Sequence, residues 1–118
     1  MKYKGREIGF KRTIGAVSDL AKIAPNGDLN RIGEIFSEKN MGVTVESGAQ
    51  FLAILNKWYE KSLAFEEENY IPDPVPAEWF LMLDMDEFLE LINEAMMKFQ
   101  DDDKPTIETV DPKGKKNE

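Results

Sequence analysis

Thr44-Val45-Glu46-Ser47-Gly48-Ala49-Gln50-Phe51-Leu52-Ala53-Ile54-Leu55-Asn56-Lys57-Trp58-Tyr59 is the stretch from which the fold is read. Val45, Ala49, Leu52, Leu55 and Tyr59 recur at intervals of three and four, which places them on one face of an α-helix. Phe51, Trp58 and Phe65 widen that stripe. Thr44 is a good N-cap, because its hydroxyl can accept from a free N–H of the first turn. Glu66-Glu67-Glu68 ends the pattern, since like charges repel one another and sit badly at the negative end of a helix. A long apolar-striped helix in a chain of 118 residues predicts a mainly α fold built around it.

Working back toward the N-terminus, Asp28 to Gly42 reads as a short helix carrying Leu29, Ile32, Ile35 and Phe36, closed by Asn40 and Gly42. Before it, Thr13 caps a helix with Ile14, Val17, Leu20, Ala21 and Ala24 at helical spacing. Pro25-Asn26-Gly27 stops that helix, because proline cannot donate and the next two residues tolerate a left-handed turn. Residues 2–12 alternate as a β-hairpin should, with Gly5 at the turn and Tyr3, Ile8 and Phe10 as strand formers.

Working forward, the alternating prolines of Ile71-Pro72-Asp73-Pro74-Val75-Pro76 force an extended segment. Pro76 can open a brief helix, Ala77 to Leu83, that is apolar on nearly all sides. Asp84 with Glu87 forms a capping box for a last helix whose stripe is Met85, Phe88, Leu89, Ile92, Met96 and Phe99. From Gln100 the chain turns polar and charged, so the expected layout is a single helical domain over residues 1–100 and a disordered tail over 101–118. The whole is an N-terminal hairpin, four or five helices and a loose end.

Composition narrows the chemistry. The chain has no histidine and no cysteine, which removes disulfides, thiolate metal sites, the usual general base and the near-neutral pH switch. The first residues carry charge without a following apolar stretch, and no run reaches the roughly 20 apolar residues of a membrane span. A cytoplasmic protein that contacts no membrane is expected. The net charge is −8, unevenly spread: +4 over residues 1–31, −10 over 32–100 and −2 over 101–118. Two solvated faces would explain this, and so would weak head-to-tail self-association. Seven scattered basic residues at the front do not form a phosphate-tracking stripe, so nucleic acid is not expected as a partner.

The candidate catalytic and metal groups do not assemble. Asp84, Asp86 and Glu87 lack the glycine turn and the alternating ligands of a calcium loop, and the capping box accounts for two of them. Asp101-Asp102-Asp103 reads as a solvated charge run. The scattered glycines make neither a phosphate loop nor a dinucleotide fingerprint, and the serines have no histidine to activate them. No enzyme activity, cofactor or metal is expected.

What remains is surface. Trp79-Phe80-Leu81-Met82-Leu83 is too apolar for a helix with a free face. Four of the six methionines fall between Met82 and Met97, and methionine suits surfaces that accept varied apolar partners. Met85 and Met96 lie on the stripe and belong to the core; Met97 lies off it. The candidate partner-binding residues are therefore Trp58, Tyr70, Trp79, Phe80, Met82 and Met97.

The front of the chain, Lys4-Gly5-Arg6-Glu7-Ile8-Gly9-Phe10-Lys11 leading into Thr13-Ile14-Gly15-Ala16, resembles the tail assembly chaperones of long-tailed bacteriophages. The wording matches over residues 4–16 and the layout over roughly 2–100. The resemblance implies a small non-enzymatic protein, absent from the finished virion, that coats the helical tape measure protein until tail tube subunits polymerise around it. It also implies a longer minority form made by frameshifting, for which Gly114-Lys115-Lys116 allows purine-rich codons. A phage connector of similar size and an acidic, nucleic-acid-mimicking inhibitor are the rival expectations.

Overall fold

The computed structural model describes residues 1–28 and 41–102. Strands β1 (Lys2–Tyr3) and β2 (Arg6–Glu7) pair antiparallel, with Lys2 opposite Glu7 and Tyr3 opposite Arg6. Lys4 (φ 52°) and Gly5 (φ 83°) both take left-handed backbone, as a tight two-residue hairpin of matching twist requires. The strands are shorter than the alternation predicts. Ile8 and Phe10 are buried, but beyond Ile8 the chain leaves the ladder and runs along a helix, where the Lys11 N–H donates to the Leu55 carbonyl (3.2 Å). Strand-like alternation thus marks a half-buried extended segment, whose backbone partner is a helix flank.

Helix α1 (Ile14–Ala21) starts where Thr13 predicts, with the Ala16 N–H donating to Thr13 Oγ1 at 3.0 Å. Its inward row is Ala16, Leu20 and then Ala24, whereas Ile14 is 86% exposed. A short 3-10 turn, Pro25–Gly27, follows, with Asn26 and Gly27 in left-handed backbone. The helix expected on Leu29, Ile32, Ile35 and Phe36 lies outside the described residues.

Helix α2 (Met41–Glu66) is the hub against which α1, α3 (Ala77–Phe80) and α4 (Met85–Asp102) all pack. It begins at Met41, so Gly42 does not close a preceding helix and Thr44 is not the N-cap. The N–H groups of a first turn lack intrahelical acceptors wherever the start falls, so a threonine inside that turn costs little. Ala49, Phe51, Leu52 and Leu55 are buried as the stripe predicts, but Phe65 is 97% exposed.

Residues 71–76 are extended, and Val75 enters the core. Pro76 stands one place outside α3 as its N-cap residue. The helix is shorter than expected: Leu81 to Leu83 continue only through i→i+3 bonds such as Met82 N–H to Trp79 O (3.1 Å). The capping box of α4 is formed, with Glu87 N–H on Asp84 Oδ1 (2.8 Å) and Asp84 N–H on Glu87 Oε1 (3.4 Å). Helix α4 runs through Asp102, so Asp101 and Asp102 belong to it and not to the tail; residues 103–118 lie outside those described. Its inward residues are Phe88, Leu91, Ile92 and Ala95, with Phe88 and Ile92 close over Gly48 of α2. Met85 and Leu89, expected in the core, stand half in water.

Candidate partner-binding surface

A cluster of ionisable groups surrounds Glu60, a buried carboxylate on α2. It accepts from the Tyr70 hydroxyl (2.7 Å) and the Asp73 N–H (3.0 Å), and pairs with Arg6 Nη1 at 3.4 Å. Arg6 also donates to the Tyr70 hydroxyl and reaches Asp73 Oδ2 at 3.9 Å. Burial raises the Tyr70 pKa above the usual phenol value, and the Glu60 carboxylate adds to the rise. For Arg6, burial works to lower the pKa, but Glu60, Tyr70 and Asp73 offset it and hold the guanidinium above its usual value. These groups are engaged with one another. Their geometry ties the hairpin and the extended segment to α2.

A second cluster links α1 to α2. Asp19 Oδ2 accepts from Lys57 Nζ (2.7 Å) and from the Trp58 indole N–H (2.9 Å). Those two hydrogen bonds, Lys57 first, lower the Asp19 pKa against the opposing effect of its burial. No group of three carboxylates able to hold a metal ion occurs among the described residues. Nor, among them, is any helix long and apolar enough to cross a membrane.

The six residues expected to bind a partner have separate fates. Phe80 is fully buried and is a correction: its ring belongs to the core, where burial is worth about 1.5–3 kcal/mol. Trp79 is half-buried, edge-on to Tyr3 and to Phe80 with ring centroids 5.5 Å away in each case. Tyr70 is half-buried and committed to the Glu60 cluster, and Trp58 is half-buried and bonded to Asp19. Met82 is 72% and Met97 63% exposed.

Met82 belongs to a run of exposed apolar residues that the sequence reading only half identified. Leu81 and Met82 lead into Met85 and Leu89, which are one turn apart on α4. Met97 lies about two turns farther along the same helix. Exposed carboxylates border this strip at Asp84, Asp86 and Glu90. A signal was present in the sequence: apolar residues at 85, 88, 89, 91, 92, 95 and 96 span more of the helix circumference than one packing partner covers. A second exposed apolar side chain, Phe65, lines a cleft together with Trp58 and Thr13, and Ile14 next to Thr13 in the chain is exposed as well.

Comparison of the chain with protein-family models, with curated proteins and with solved structures found no match.

Proposed function

We propose that this protein is a binding protein of the tail assembly chaperone type. Its client is an apolar, helical protein, the tape measure protein of a long-tailed phage, shielded until the tube subunits enclose it. The observation that carries the reading is the strip Leu81, Met82, Met85 and Leu89, apolar side chains left in water beside a well-packed core. An exposed apolar strip with a polar border suits a partner surface, and unbranched methionines can adapt to varied apolar contours. The bordering carboxylates keep such a complex soluble. Individually weak contacts, repeated along an extended client, give high occupancy while each remains displaceable.

Coexpression with a tape measure protein tests this. Met82→Asp with Met97→Asp changes the two most exposed side chains of this run, 72% and 63% in water, so circular dichroism and melting should stay close to the wild type. The soluble yield of client should fall several-fold. Unchanged client solubility with an intact fold would remove the reading. Recovery of the protein in purified particles would instead favour a structural connector.

A further inference from the structure

We infer that the open cleft between the start of α1 and the last turns of α2 docks a short segment of a partner protein, one that presents an apolar side chain beside a carboxylate. The cleft is lined by Thr13, Trp58, Lys61, Ser62 and Phe65 and encloses about 380 Å³. That volume is at the small end of ligand sites, enough for one or two side chains and not for a folded surface. Trp58, Lys61, Ser62 and Phe65 follow at i, i+3, i+4 and i+7, so one face of α2 forms the floor. Gly15 packs against the Trp58 ring and holds the wall in place.

Charge and hydrogen bonding select the occupant. Thr13 Oγ1 already accepts from the Ala16 N–H, the Ser62 hydroxyl donates to the Tyr59 carbonyl, and the Trp58 indole donates to Asp19. Lys57 Nζ is paired with Asp19 at 2.7 Å. Among the described residues that line the cleft Lys61 is the charged one, its ammonium 4.7 Å from the Trp58 ring centroid. The cleft therefore offers apolar contact plus one cation, which a carboxylate complements and a lysine opposes. Glu66, Glu67 and Glu68 follow Phe65 at the far end, so the carboxylate of the occupant belongs at the Lys61 end. Phe65, 97% exposed, is the apolar anchor. This site is separate from the α3–α4 strip and does not depend on the client assigned to it.

The test uses the full chain labelled at its two tryptophan indoles, with a capped helical peptide carrying Leu and Glu one turn apart as the probe. Trp79→Phe assigns the signals. Titration should shift the Trp58 indole N–H saturably and leave that of Trp79 in place. Lys61→Gln should weaken binding about two- to five-fold, as loss of one exposed charge contact does. Phe65→Ala, which removes a ring that packs on little else, should weaken it about five-fold or more. Replacing Glu by Gln in the peptide should weaken wild-type binding as Lys61→Gln does, and leave the Lys61→Gln protein unaffected. Absence of a saturable Trp58 shift, or equal binding of the Glu and Gln peptides, overturns the inference. So does binding that emerges only in an Ile107→Asp, Val110→Asp variant, because the occupant would then be this chain's own C-terminal segment.

Discussion

Gly15 shows how much one missing side chain decides. It is the second residue of α1, where alanine would favour the helix by about 1 kcal/mol. A Cβ there would meet Trp58 Cη2 at 2.3 Å, and a Cβ at Gly9 would meet the Tyr59 ring at the same distance. Both glycines are thus seats for the aromatic pair of α2. The clash outweighs the propensity: Gly15→Ala should lower stability by about 1–3 kcal/mol, read from the urea midpoint. Adding Trp58→Phe opens the space and should recover part of that loss, a coupling that independent sites would not show. The stretch 4–16 is, in this fold, largely a set of structural instructions. Gly5 makes the turn, Arg6 pairs with Glu60, Gly9 and Gly15 receive rings, and Thr13 caps. None of these roles except the turn and the cap could be read from the residues alone, because each needs a partner more than 40 positions away, such as Trp58 for Gly15 or Glu60 for Arg6.

Among the elements, α2 organises the rest through two polar residues placed within its apolar face. Asn56 donates from Nδ2 to the Gly9 carbonyl (2.9 Å) and accepts at Oδ1 from the Val75 N–H (2.7 Å). One side chain thereby completes the backbone of two segments that have no ladder of their own. Asn56→Ala would leave that carbonyl and that N–H without these partners, and should cost about 2–4 kcal/mol in urea unfolding. An effect under about 0.5 kcal/mol would mean that water replaces the amide. Glu60 acts alike on Tyr70 and Asp73. Leu52, Asn56 and Glu60 share an i, i+4 row, so polar residues on an apolar stripe were the available signal. The prolines told that residues 71–76 are extended; only the tertiary contacts told what holds them.

For the whole molecule, the uneven charge of the sequence is partly settled internally. Lys4 pairs with Asp73 (3.4 Å) and Arg6 with Glu60 and Asp73, so part of the basic front meets the acidic middle within one chain. Asp19 with Lys57 joins α1 to α2 the other way round, an acid of the basic front with a base of the acidic middle, and leaves that unevenness as it was. Because the folded Asp19 pKa is lowered from 3.8, the unfolded chain takes up that proton first as the pH falls. The stability it confers is therefore complete above the ordinary carboxylate value near 3.8 and is lost below it, down through the lowered folded value. Between pH 6 and pH 3 the urea midpoint of Asp19→Asn should fall less than that of the wild type. Parallel curves would show that the Asp19 contacts do not survive in solution.

What the residues determined unaided was local: the Thr13 cap, the stop at Asn26-Gly27, the long α2, the extended prolines and the Asp84–Glu87 box. Each depends on backbone chemistry that neighbours in the chain supply by themselves. The tertiary structure alone decided which flank of each helix faces inward. It put Ala16, Asn56, Leu91 and Ala95 inside while leaving Ile14, Phe65, Met85 and Leu89 in water. Helical periodicity marks a broad apolar arc, and burial within that arc goes to whichever residues another element approaches. The surfaces open to partners are the remainder of that choice.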